Sequence, residues 1–266
     1  PIPSMSRLGE LWDRDVLAAC RTARSIGYVL AAELRAQGVD LTFAPVLDLA
    51  WGRSGVIGDR ALHADPRVVC MLAGHLMHGF ALAGMGSCGK HFPGHGWAEA
   101  DSHHEVPVDR RPLGTILEQD AAPYGWLGVS LCAVMPAHVV YPQVDALPAG
   151  FSRRWIGDIL RRDLAFSGLV FSDDLSMEGA GVAGDLAGRA RAALQAGCDC
   201  VLVCNDPDGA DRLLTQLQWR ADSAFAQRLA RIAPRNASRQ AVLRDDPAYG
   251  PALRDLEQLA DRTVAT

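Results

Sequence analysis

No run in this 266-residue chain approaches the roughly 18 apolar residues of a membrane-spanning helix, so no anchor is expected and the chain reads as a soluble protein. Excess positive charge is also missing. Lysine and arginine total 26 against 31 aspartate and glutamate, and a net charge of −5 offers no electrostatic footprint for nucleic acid. No Gly-x-Gly-x-x-Gly opens a helix, which removes the usual signature of a dinucleotide site, and no segment is of low complexity. Nor do the cysteines form an even framework. There are seven, at 20, 70, 88, 132, 198, 200 and 204, mostly inside apolar runs, which suits reduced core thiols in a cytosol-like compartment. Cys198, Cys200 and Cys204 are of a type that can hold a metal, but Cys198-Asp-Cys-Val-Leu-Val-Cys204 reads as a buried strand.

What is present is apolar residue in quantity: 49% hydrophobic content supports one large core and a single domain over residues 1–266. A repeating unit runs along it. Residues 15–37 carry Val16, Cys20, Ala23, Gly27, Leu30, Ala31 and Leu34 at helical spacing, Gly38 stops the helix, and 41–49 reads as a strand. The same helix-then-strand order is predicted for 65–84 and 87–92, 111–127 and 131–140, 153–164 and 169–175, and 186–196 and 200–205. Alternation of this kind implies parallel strands. Each strand ends in functional groups: Asp48, Lys90 with His91, His138, Asp173 with Asp174, and Asn205. Chemistry gathered at the C-terminal rim of parallel strands is the pattern of a (β/α)8 TIM barrel, of which an open doubly wound sheet is the weaker rival. Residues 206–266 read as a helical C-terminal part with a turn at Asp206-Pro-Asp-Gly209.

Lys90-His91-Phe92-Pro93-Gly94-His95-Gly96, followed by Asp101-Ser102-His103, is the densest chemistry in the chain. Pro93, Gly94 and Gly96 exclude a helix there, so these polar groups belong to an irregular loop. Asp101, two residues from His103, is placed to orient its imidazole and stabilise the protonated form. Phe171-Ser-Asp-Asp-Leu175 ends an apolar strand in two carboxylates, a rigid mount for a nucleophile. Lys90, His91 and Arg60 are donors suited to an array of hydroxyls. Together these groups suggest glycoside hydrolysis. Plainer roles compete: Asp174 as a cap with Ser176, His95 as a turn residue, His138 as a pocket lining or a partner for backbone groups, and His104 in solvent. A metal held by His91, His95, Asp101 and His103 is a weaker reading, because Pro93 and Gly94 prevent the helix on which His91 and His95 would converge.

These stretches, taken with Phe43-Ala-Pro-Val-Leu-Asp48, Ile57-Gly-Asp-Arg60, Met135-Pro-Ala-His138 and Phe171-Ser-Asp-Asp-Leu-Ser-Met177, closely resemble the bacterial β-N-acetylhexosaminidases of glycoside hydrolase family 3. The resemblance runs in order from about residue 1 to 205. It implies a retaining enzyme that releases N-acetylglucosamine from muropeptides in the cytoplasm during peptidoglycan recycling. Its partner would be a small glycan, with no cofactor, no metal, no nucleic acid and no membrane. By resemblance Asp173 falls on the family nucleophile, His103 and Asp101 on its acid/base pair, and Arg60, Lys90 and His91 on its sugar-binding positions; strand alternation alone does not choose between Asp173 and Asp174. The family barrel has three strands before the Phe-Ala-Pro-Val strand, and no counterpart of them precedes Pro1. The expectation is therefore five of eight barrel units, opening on a linker-like Pro1-Ile-Pro-Ser4, with edges left at 41–49 and 200–205 and a tendency to self-associate. Three rival readings remain: a glycoside phosphorylase of the same fold, a hydrolase in which Asp173 and Asp174 assist the substrate's own acetamido oxygen, and an inactive sugar-binding fragment.

Overall fold

The computed structural model describes residues 2–99, 106–233 and 243–261. Five parallel strands form one open sheet in the order β1 (Leu41–Thr42), β2 (Gly86–Phe92), β3 (Ala133–Pro136), β4 (Leu169–Asp174) and β5 (Cys200–Leu202). The helices are α1 (Ser6–Trp12), α2 (Val16–Ala36), α3 (Pro66–Leu82), α4 (Leu113–Glu118), α5 (Ala122–Leu127), α6 (Leu186–Ala196), α7 (Pro207–Gln216), α8 (Ser223–Ala230) and α9 (Tyr249–Asp261). A ten-residue π-helix, Arg154–Asp163, lies between β3 and β4. This is a TIM-barrel type of sheet left incomplete, with β1 and β5 as edges that do not pair with each other.

Helix ends follow the residues that close them. Asp15 accepts the Ala18 N–H at the start of α2, Asp65 accepts the Arg67 N–H before α3, and Gly38 and Gly84 take positive φ just past the two helices. Gly27 and Gly79 let these helices cross closely. A Cβ on Gly27 would lie 2.1 Å from the Leu76 carbonyl oxygen, and one on Gly79 2.2 Å from that of Arg24. α9 packs across α2, where Tyr249 donates to Glu33 and Ser25 to Asp255. No described helix is long and apolar enough to cross a membrane.

Four expected elements are shorter or broken. The strand expected over 41–49 stops at Thr42 because Pro45 has no N–H to give the ladder; Val46 still bridges Lys90, and the chain reaches Asp48 irregularly. The helix expected over 111–127 divides into α4 and α5, because the Pro123 ring excludes helical backbone four residues earlier at Gln119. The strands expected over 131–140 and 200–205 contract to β3 and β5, leaving Cys204 exposed beyond β5 rather than buried within it. All seven cysteines are free thiols.

The inner face of the sheet carries Cys88, Ala133, Met135, Leu169 and Phe171, with Leu41, Cys200 and Leu202 at its margins. Phe225 of α8 and Ile232 pack onto this face. Toward the edges the cover thins: Leu41, Cys200 and Leu202 are only half-buried, and Phe43, edge-on to Phe171, is exposed. Apolar residues on both margins thus meet solvent where a closed barrel would enclose them.

Candidate active site

The strand ends converge on one rim because the register aligns them. Lys90 stands opposite Met135, Asp174 opposite Leu202, and the Val46–Lys90 bridge brings Asp48 beside the end of β2. Asp48 is fully buried there. It accepts the His91 ring Nδ1–H at 2.7 Å, the His91 backbone N–H at 3.2 Å and the His95 backbone N–H at 2.6 Å. Burial by itself raises the Asp48 pKa, but the attraction of His91 and His95 outweighs it and holds the carboxyl below its ordinary value. Asp48 is therefore the anchor of the Lys90–Gly96 loop, fixing the Nδ1 side of His91 and leaving Nε2 for another contact.

His95 is not a simple turn residue. Its ring is buried 6.0 Å from that of His91, centroid to centroid, with Nδ1 3.4 Å from Ser54 Oγ, and burial lowers its pKa. Lys90, the sole lysine among the chain's 26 basic residues, is half-buried, and its ammonium makes no hydrogen bond among the described residues.

The two carboxylates at the end of β4 differ sharply. Asp174 is buried and accepts from four donors: Ser176 N–H, Ser176 Oγ–H, Cys204 N–H and Asn205 Nδ2–H. Burial works against its charge, but those hydrogen bonds bring its pKa down. It ties β4 to the end of β5 and turns the chain toward Ser176. Asp173 is half-buried and, among the described residues, accepts one hydrogen bond, from the adjacent Asp174 N–H. The buried thiol of Cys88, below the rim, and the exposed thiol of Cys204, on it, both feel the opposed charges of Lys90 and Asp173. Ammonium and carboxylate thus look onto the same mouth of the half-barrel.

Arg60 lies in the short 3-10 turn Gly58–Arg60, its guanidinium donating to the Val56 carbonyl at 2.7 and 3.1 Å. No hydrogen bond or ion pair among the described residues joins it to Lys90, His91 or Asp173. Asp101 and His103 lie outside the described residues. His138, at the end of β3, donates to a backbone carbonyl.

A second cluster stands beside the loop and has no clear signature in sequence. Arg111 forms ion pairs with Asp109 at 2.6 Å and Asp120 at 2.7 Å, both carboxylates fully buried. Its guanidinium lies over Trp97 at 4.5 Å, Arg53 covers the same ring at 4.3 Å, and Trp51 donates to Asp120 at 2.9 Å. Trp97 and Asp109 stand before and after residues 100–105, so this cluster holds both stems of that segment.

Chemically the rim offers a half-buried carboxylate that accepts one backbone N–H among the described residues, a cation, and a histidine fixed through one nitrogen. Residues 1–234 match the Glycosyl hydrolase family 3 N terminal domain. The chain is 61% identical over 260 residues to the Beta-hexosaminidase of Bordetella parapertussis, covering 97% of this chain and 74% of that protein. It is 52% identical over 261 residues to the Beta-hexosaminidase of Thiobacillus denitrificans, covering 97% and 73%. Among solved structures, NagZ from Neisseria gonorrhoeae in complex with N-trifluoroacetyl-D-glucosamine superposes with a TM-score of 0.90 at 46% identity, covering 97% of this chain and 76% of that one.

Proposed function

Since the chain belongs to glycosyl hydrolase family 3 and is a glycoside hydrolase, we propose that it is a retaining β-N-acetylhexosaminidase with Asp173 as its nucleophile. The observation that carries the assignment is the contrast at the end of β4. Asp174 spends its oxygens on four structural donors, whereas Asp173 accepts a single backbone N–H among the described residues. A nucleophile needs an unengaged lone pair on a rigid mount, and Asp173 alone of the pair has one.

In the proposed reaction an Asp173 oxygen attacks the anomeric carbon as the bond to the leaving oxygen breaks, and the His103 imidazolium gives that oxygen its proton. Water then attacks the glycosyl ester, passes a proton to His103 and frees Asp173. Asp101 orients His103 and stabilises its charged form. Lys90, Arg60 and His91 hold the sugar hydroxyls, for which charged donors are the stronger partners.

The substrate we infer is a terminal N-acetylglucosamine on a peptidoglycan-derived muropeptide, and the compartment the cytoplasm. The glucosamine analogue bound by the Neisseria relative and the seven free thiols support these two readings. The test is trapping with a 2-fluoro or 5-fluoro sugar followed by peptide mapping. A label on Asp173 is expected; a label on Asp174, or an acetamido-derived oxazoline with no label, would overturn the mechanism.

A further inference from the structure

Strand β3 leads into a histidine that the proposed reaction does not use. His138 is only 3% exposed, and its ring lies against Phe151 with centroids 5.3 Å apart and planes 29° from parallel. Two glycines form the rest of its slot. A Cβ on Gly179 would stand 3.1 Å from His138 Cβ, and one on Gly150 would stand 3.5 Å from Nδ1.

The two ring nitrogens are in unequal positions. Nε2 is 3.2 Å from the Asp174 carbonyl oxygen. A carbonyl only accepts, so Nε2 carries the proton. Burial lowers the ring's pKa against the pull of Asp173 and Asp174, leaving it neutral with Nδ1 as an acceptor. That Nδ1 is buried and has no hydrogen-bond partner among the described residues. A ring present for packing alone would be better replaced by a hydrocarbon with no orphaned nitrogen. What the imidazole adds is the Nε2–H.

The residue that receives it is already fixed elsewhere. The Asp174 carbonyl also accepts the Met177 N–H at 3.2 Å, and its carboxylate takes the four donors described above. Asp173, one residue earlier, extends from this fixed point. We propose that His138 is a positioning residue for the nucleophile: its Nε2–H holds the Asp174 carbonyl and, through it, the backbone from which Asp173 reaches the anomeric carbon. The inference rests on the assignment of Asp173 in the preceding subsection.

The test compares His138→Phe, which keeps the ring's plane and bulk, with His138→Gln, which keeps an N–H donor, in the native full-length enzyme. The readouts are kcat and KM on an aryl N-acetylglucosaminide, the rate of Asp173 labelling by a fluorosugar, and the pH profile. Phe should lower kcat and labelling by about fiftyfold, the scale of a small misplacement of a reacting group, with KM within about twofold. Gln should recover all but about fivefold, and neither should move a limb of the pH profile, because a neutral ring contributes no titration there. Should the Phe variant fail to fold, Gly179→Ala shifts the His138 Cβ without removing the ring and should also lower kcat at unchanged KM. A folded Phe variant, or in its place Gly179→Ala, with wild-type kcat would overturn the role. Equal losses in Phe and Gln, or a displaced pH limb, would overturn it too. Labelling of wild type at another residue would instead overturn the functional reading itself.

Discussion

Replacing Asp48 with Asn leaves the shape of the buried anchor and removes its charge, and so isolates what the carboxylate does for the Lys90–Gly96 loop. The native oxygens face three N–H groups, at 2.7 Å from the His91 ring, 3.2 Å from the His91 backbone and 2.6 Å from the His95 backbone. An Asn amide offers one oxygen to them and turns its own NH2 toward a donor. Removing one member of a buried charged network costs about 3–5 kcal/mol, and the surviving hydrogen bond offsets part of that, so a loss of about 3 kcal/mol is expected. At about 2–4 °C per kcal/mol for a chain of this order, the thermal midpoint should drop by about 6–12 °C. Because the loop carries Lys90 and His91, kcat/KM should fall by about a hundredfold as well.

The pH dependence sharpens the test. His91 and His95 hold the Asp48 carboxyl below its ordinary value against burial, so its contribution is complete above the unfolded pKa of about 4 and is lost as pH falls through the lower folded value. Calorimetry of wild type and variant should show a constant gap from about pH 8 to about pH 5, closing only below about pH 4. A midpoint change under about 2 °C would refute the anchoring role. A gap that collapses above about pH 6.5 would refute it as well, because an ionised Asp48 carboxylate persists there.

Asp173→Ala should reduce turnover by about 10⁴-fold or more on any aryl N-acetylglucosaminide, read by steady-state kinetics. Asp174→Asn should lower stability by about 2 kcal/mol in urea titration, because an amide mismatches the donors it meets, while fluorosugar label still maps to Asp173. His103→Ala should slow deglycosylation more than glycosylation when the leaving group is activated, and added azide should restore turnover; azide without effect would move the acid/base role elsewhere. Lys90→Ala and Arg60→Ala should each weaken a glucosamine-type inhibitor by about tenfold in titration calorimetry, and unchanged affinity would remove that residue from the site.

The order of helices and strands was legible because helical apolar spacing, terminal glycines and apolar runs all agree along the chain. Their lengths were less so: Pro45 and Pro123 both mark where an element ends, and an apolar pattern that continues through a proline hides that boundary. The motifs locate the rim, but adjacent carboxylates at one strand end are equivalent by sequence. What separates them is contact with Cys204 and Asn205, about thirty positions away, and with the Ser176 turn. The Arg111, Trp51 and Trp97 cluster was missed for the same reason. Trp51 and Asp120 meet across 69 positions, and no local pattern encodes that pairing.

Lys90 being the sole lysine turns the end of β2 into a spectroscopic handle. Reductive methylation with isotopically labelled formaldehyde would place one lysine dimethylamine within these 266 residues. Its nuclear magnetic resonance shift would follow the charge on Asp173 and the arrival of a sugar hydroxyl, free of the overlap that a lysine-rich surface imposes. Digestion at lysine likewise cuts this chain only after residue 90, dividing it within its own rim and leaving Asp48 on one peptide and Asp173 with Asp174 on the other, so mass alone tells a label on Asp48 from one at the end of β4.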